Sequence, residues 1–297
     1  MALEVVGSRV GLSKMTTRQR VFVSSVTFAL AVSAWASAQT QPFRDVPIPR
    51  ASGQSVTPAF EGWYQNADGT FSLSFGYFNR NNEERLDIPV GVNNRLEPGP
   101  ADRGQPTHFL PRRQTGVFTI DVPEDFGDQQ VTWTLVSHGQ TIAIHGHLRT
   151  EWEIDALREM TTGNTPPVLR LTADGPHAQG PRGTRVAIKT PVSDPVSLPV
   201  WVTDDMVLRS SGNYVLTREP RLGVVWSRYR GPGIVTFSDT EPMLDESGQA
   251  VTTAHFSEPG EYVLRLLAWD DSGPQLRTMA VGFQCCWTNG YVDVRAR

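Results

Sequence analysis

One stretch limits what this chain can fold into. From Phe71 to Tyr77, Phe71, Leu73, Phe75 and Tyr77 alternate with Ser72, Ser74 and Gly76. A period of two puts one set of side chains on each face of a β-strand, and no helix accommodates it. The Asn66-Ala67-Asp68-Gly69 turn signal precedes it, after Phe60-Glu61-Gly62-Trp63-Tyr64. Further short strand candidates follow at Leu86 to Val90, Gly116 to Val122, Val131 to Val136 and Thr141 to Leu148. Ser137-His138-Gly139-Gln140 supplies a hairpin connection between the last two. Strands this short, with frequent turns and no convincing amphipathic helix, predict an antiparallel sandwich.

The pattern then restarts. Thr150 and Glu153 have capping-box spacing, with Trp152, Leu157 and Met160 on roughly one face, so residues 151–165 are expected to be a short helix or an ordered linker. After Asn164-Thr165-Pro166-Pro167, nine more strand candidates run from Val168 to Arg295. The expected architecture is all-β, with two tandem antiparallel β-sandwich (Ig-like) domains at residues 58–150 and 166–297. About one residue in six is Pro or Gly, above the usual share but below low-complexity levels. The composition excludes collagen, a coiled coil, a wholly disordered chain and a multi-span membrane protein.

The N-terminus carries an address. Arg18 and Arg20 precede an apolar run from Val21 to Trp35, and Ala36-Ser37-Ala38 follows. A basic region, an apolar core and a small-x-small ending read as a secretory signal peptide over residues 1–38, cleaved after Ala38. Met15 is an alternative start, and an uncleaved anchor is the alternative reading. Residues 39–57 are polar and Pro-bearing, and read as a flexible leader. No other run is apolar enough to span a membrane, so the exported chain is expected in the periplasm or outside the cell. Removing the signal leaves 23 basic and 30 acidic residues, with Lys189 the one remaining lysine. That balance argues against binding nucleic acid or anionic membranes.

The second half resembles a known module. Val225-Trp226-Ser227-Arg228-Tyr229-Arg230-Gly231-Pro232-Gly233 leads into Ile234-Val235-Thr236-Phe237, and Ser257-Glu258-Pro259-Gly260-Glu261-Tyr262 enters an alternating strand ending at Asp270. These stretches resemble polycystic-kidney-disease-type and related Ig-like domains of bacterial secreted proteins. The resemblance implies a sandwich with Trp226 packed between sheets, acting as a spacer or binding module. The first half, through residues 60–64, 73–81 and 105–114, resembles secreted proteins of environmental bacteria, a likeness that supplies no activity.

Candidate chemistry is sparse. His145 and His147 are two apart on an expected strand and so share a face, and His138 in the preceding turn is a third candidate ligand for Zn²⁺ or Cu²⁺. Two same-face ligands do not make a site, so no cofactor is expected. His108, Arg112 and Arg113 lie in a Pro-bounded loop and form a candidate anion site. Asp204-Asp205 and Asp270-Asp271 sit near expected strand ends, where carboxylates can hold Ca²⁺. Trp63, Tyr64, Tyr77 and Phe78 are a candidate sugar platform, although the alternation places Tyr77 in the core. The two cysteines, Cys285 and Cys286, are adjacent. In an oxidising compartment they can form a vicinal disulfide, remain as thiols or link two chains. They are expected at a terminal hairpin, with Trp287 to Gly290 as its turn. No nucleophile elbow, metalloprotease helix or phosphate loop is present. The reading is a secreted, non-catalytic protein acting in binding or surface assembly, with a polysaccharide or another surface protein as partner. The alternatives are a metal-binding protein or metal-dependent enzyme, and a carbohydrate-binding module.

Overall fold

The computed structural model describes residues 50–159, 163–207, 221–270 and 285–297. The expected signal peptide, most of the leader, the strand candidate at Arg277 to Phe283, and Asp271 lie outside them. No helix among the described residues is long and apolar enough to cross a membrane.

The first half contains β1 (Val56–Gln65), β2 (Phe71–Asn79), β3 (Leu86–Asp87), β4 (Asn94–Glu97), β5 (His108–Phe109), β6 (Arg112–Val122), β7 (Val131–Ser137) and β8 (Gln140–Gly146). Sheets β1-β2-β6 and β4-β7-β8 face each other, and β3-β5 form a small ladder beside them. Between the two sheets lie Leu73, Phe75, Tyr77, Phe118, Ile120, Leu135 and Trp133. Trp133 is fully buried because Asn94 accepts its indole N–H at 3.0 Å. The β7-β8 hairpin turns on His138 and Gly139, both at positive φ, as a two-residue connection requires.

The second half contains β9 (Val168–Arg170), β10 (Thr184–Thr190), β11 (Val196–Thr203), β12 (Leu222–Arg230), β13 (Val235–Phe237), β14 (Gln249–Phe256), β15 (Gly260–Asp270) and β16 (Trp287–Ala296). Its sheets run β13-β14-β11-β9 and β10-β16-β15-β12. This is the strand order of an Ig-like sandwich. All pairs are antiparallel except β10 with β16, because the chain crosses from one sheet to the other between β9 and β10. Trp226 on β12 is buried between the sheets and stacks on Phe237 at 6.3 Å. Tyr262 enters β15 and donates its hydroxyl to the Glu258 carbonyl at 2.7 Å. This is the tyrosine corner that fixes the connection between sheets in such folds.

Residues 151–159 form no α-helix, which leaves the ordered linker of the two expected readings. One 3-10 turn spans Thr150–Trp152 without a side-chain cap, and Glu153 then pairs with Trp63 of β1. The edge of a sheet takes up the backbone that a helix would have used. Trp287 to Gly290 are not a turn but the first residues of β16, paired to β15. Ser72 and Ser74, on the polar face of β2, are also fully buried. Ser72 bonds Asp121 at 2.8 Å, and Asp121 pairs with Arg182 of the second half at 2.9 Å.

Truncating Trp226 to Ala should cost about 3–5 kcal/mol, the usual cost of removing a buried large aromatic. Chemical denaturation would read a loss of that size, and a loss below about 1 kcal/mol would remove Trp226 from the core.

Candidate functional site

The candidate residues from the sequence are placed apart from one another. His138 lies 3.4 Å from Glu84. His145 on the exposed face of β8 bonds Thr132 at 2.8 Å. His147 falls past the end of β8, edge-on to Phe60 at 5.1 Å and Trp152 at 6.0 Å. Burial, with Arg149 nearby, holds His147 below the usual imidazole range. Among the described residues no three His, Cys, Asp or Glu side chains are grouped to hold a metal ion.

The anion candidates are each engaged elsewhere. His108 is buried 2.8 Å from Asp87. Arg112 lies over Phe78 and bonds Asn82 at 3.0 Å. Arg113 reaches the buried Glu61 at 2.6 Å. Gly76 makes room for that carboxylate, since a Cβ there would sit 2.2 Å from the Glu61 Oε1. The aromatic candidates form no platform either. Tyr77 is buried and accepts the Leu110 N–H at 2.9 Å, while Trp63 donates its indole N–H to Arg149 O at 2.8 Å.

Cys285 and Cys286 are joined in a vicinal disulfide across a cis peptide bond, and both are buried. Cys285 Sγ lies 3.7 Å from the Asn164 carbonyl, and Asn164 Nδ2 donates to the buried Asp270 at 2.9 Å. Asp204 lies near enough to feel Asp270. Burial first, then the charges of Asp270 and Asp205, push its carboxyl up to about 6.

The geometry concentrates instead at the junction of the two halves. The described residues fall in one compact unit, and two bulges make it so. In β6, Thr115 to Val117 bulge out opposite Gly76. Gly116 sits there at φ 50°, with the Trp287 indole against it, and a Cβ would lie 2.0 Å from that ring. The Gly116 carbonyl accepts from Asn289 Nδ2 at 2.8 Å, Trp287 Nε1 at 3.4 Å and Arg265 Nη2 at 3.4 Å. Arg265 is buried and donates twice to Asn289 Oδ1, at 3.1 and 2.7 Å. In β12, Tyr229 is the extra residue between Arg228 and Arg230. It enters the first core and donates to Gly104 O at 2.6 Å. On either side, Arg228 holds Asp87 at 2.7 Å and Arg230 holds Asp102 at 2.8 Å. Burial raises the Asp87 carboxyl, but bonds and charge from His108 and Arg228 outweigh it and hold the group below the usual range.

A cavity of about 290 Å³ opens beside this junction. Arg103, Arg182 and Arg185 line it, with Phe118, Thr119, Asp121, Thr184 and Tyr291. Arg182 pairs with Asp121 at 2.9 Å and Asp68 at 3.4 Å. Arg185 pairs with Asp293 at 2.6 Å and lies over the Tyr291 ring. The Arg103 backbone N–H donates to Gln105 Oε1 at 2.9 Å, but its guanidinium has no hydrogen-bond or carboxylate partner among the described residues, and burial lowers its pKa. The sequence reading missed these arginines. Arg103 stands in a polar, Pro-bounded loop, while Arg182 and Arg185 lie about eighty residues further on, so no local spacing connects them.

No family model matches the chain, and no curated protein matches it. Among solved structures it is similar to the D0-D1 domain of Intimin, at 13% identity, over 82% of this chain and 98% of that chain, with a TM-score of 0.24. It is also similar to the D00-D0 domain of Intimin, at 10% identity, over 81% and 99% of the two chains, with a TM-score of 0.25. The Ig-like assignment above rests on strand order, Trp226 and Tyr262.

Two outcomes test this description. Asn289→Ala should cost about 1.5–3 kcal/mol, since it strips a buried guanidinium of its acceptor. Denaturant unfolding would read this, and a cost near zero would mean that the junction is not held there. For Asp204, the folded protein keeps a proton between the ordinary carboxyl pKa and about 6 that the unfolded chain has released. Stability therefore falls as pH rises through that window. Asp204→Asn should melt higher than the parent at pH 7, with the difference narrowing towards pH 4. An equal difference at both pH values would contradict the assignment.

Proposed function

We propose that this chain is an exported, non-catalytic β-sandwich protein acting in binding or in cell-surface or periplasmic assembly, with residues 58–150 and 166–297 as its two domains. The observation that carries this reading is the junction. Two sandwiches are locked through Gly116, Arg265 and Asn289, and the cleft between them is lined by Arg103, which has no counter-ion among the described residues. A rigid composite surface with a spare charge suits recognition, because little conformational freedom is lost when a partner docks. The resemblance of the second half to polycystic-kidney-disease-type modules agrees, as does the signal-peptide pattern at residues 1–38.

The test is fractionation of cells making the full chain, with mass spectrometry of the product. The protein should be outside the cytosol, begin at Gln39 and bind saturably to isolated cell envelopes. A cytosolic protein that retains its first 30 residues, or one with no envelope association, would overturn the reading.

A further inference from the structure

The cavity at the junction has an unusual charge balance. Three guanidinium groups line it, and two are already answered: Arg182 by Asp68 and Asp121, and Arg185 by Asp293. Of these three, Arg103 is the one with no carboxylate partner among the described residues, and it is half-buried. Removing an ionised group from water without a partner is costly, so a nearby anion would be strongly favoured. Thr119 and Thr184 also line the cavity. Neither side-chain hydroxyl takes part in a hydrogen bond among the described residues. The lining also includes Phe118 and Tyr291, both buried residues of the first core. The volume of about 290 Å³ is near the lower limit for small-molecule sites, which begin at roughly 300 Å³.

Resting on the binding reading above, we infer that this cavity binds one carboxylate carried on a small hydroxylated molecule, a sugar acid of about hexose size. Arg103 is its counter-ion, and Thr119 and Thr184 take its hydroxyls. The charge count selects the ligand. One spare positive charge matches a monoanion, whereas the second charge of a phosphate would meet Asp121 on the cavity wall. The guanidinium fork accepts the two oxygens of a carboxylate side by side. The hydroxyl-bearing frame follows from the uncommitted threonines, since an apolar acid would leave both unpaired. The same chemistry is offered by a free uronic acid and by a uronate residue within a polysaccharide.

Isothermal titration of the mature chain with D-glucuronate, D-glucose, inorganic phosphate, N-acetylglycine and an oligouronide tests this. Glucuronate should bind, and glucose and phosphate should bind about tenfold more weakly or worse, the loss expected for one charge-assisted bond. Arg103→Gln should weaken glucuronate binding by a similar factor with the melting temperature unchanged, while Arg103→Lys should recover part of it. Thr184→Val should weaken glucuronate binding but leave N-acetylglycine binding unchanged. Tighter binding of the oligouronide would identify the polymer as source, and tighter binding of the monomer the free acid. Equal affinity for glucose, tighter binding of N-acetylglycine, or no effect of Arg103→Gln would overturn the inference. If it fails while the protein still associates with envelopes, only the ligand class falls; a cytosolic protein would remove the binding reading itself.

Discussion

The Gly116 carbonyl is where the two halves become one molecule. It accepts from Asn289, Trp287 and Arg265, and Asn289 in turn satisfies the Arg265 guanidinium. Among the described residues Arg265 pairs with no carboxylate, so this network of neutral oxygens is what makes its burial tolerable. Gly116 must be glycine for two reasons: its φ is positive, and the Trp287 indole occupies the space a Cβ would need. The cleft, the arginine pairs along its rim and the burial of the serine face of β2 all depend on this contact.

Bulges on each side produce the junction. An extra residue in a strand breaks the pairing locally and redirects a side chain or a carbonyl. In β6 the bulge turns the Gly116 carbonyl towards the second half. In β12 it sends Tyr229 into the core of the first. The exchange is reciprocal, since each half completes the other's packing. It also explains why the Tyr77, Tyr229 and Tyr291 hydroxyls, all raised by burial, lie near Arg265.

The junction leaves a cavity whose polar groups are not all spent. Elsewhere the histidines and arginines of the candidate sites are paired to structural neighbours: His108 to Asp87, Arg113 to Glu61, His145 to Thr132. Arg103 differs because its loop ends beside the cleft, where the acids within reach already belong to Arg182 and Arg230. A ligand would complete the charge balance that the chain leaves open.

The all-β class was legible because period-two patterning reports which face of a strand is buried, and this holds for Leu73, Phe75 and Tyr77. Trp226 and Tyr262 were legible for the same reason, with the Pro259-Gly260 turn as punctuation. Alternation carries no information about what covers the second face. Nothing in the serine face of β2 announced its burial, and Asn289-Gly290 read as a turn, because a polar residue on a strand looks the same whether water or another domain lies above it. The cavity was invisible for a related reason. Arg103 lies about eighty residues before Arg182 and Arg185, and the absence of a counter-ion is a property of distances that a linear pattern does not contain. Local chemistry in the chain determined the strands, the turns and the two cores. Tertiary packing alone decided how the cores meet and which charge is left unanswered, because those outcomes depend on groups far apart in sequence competing for the same partners.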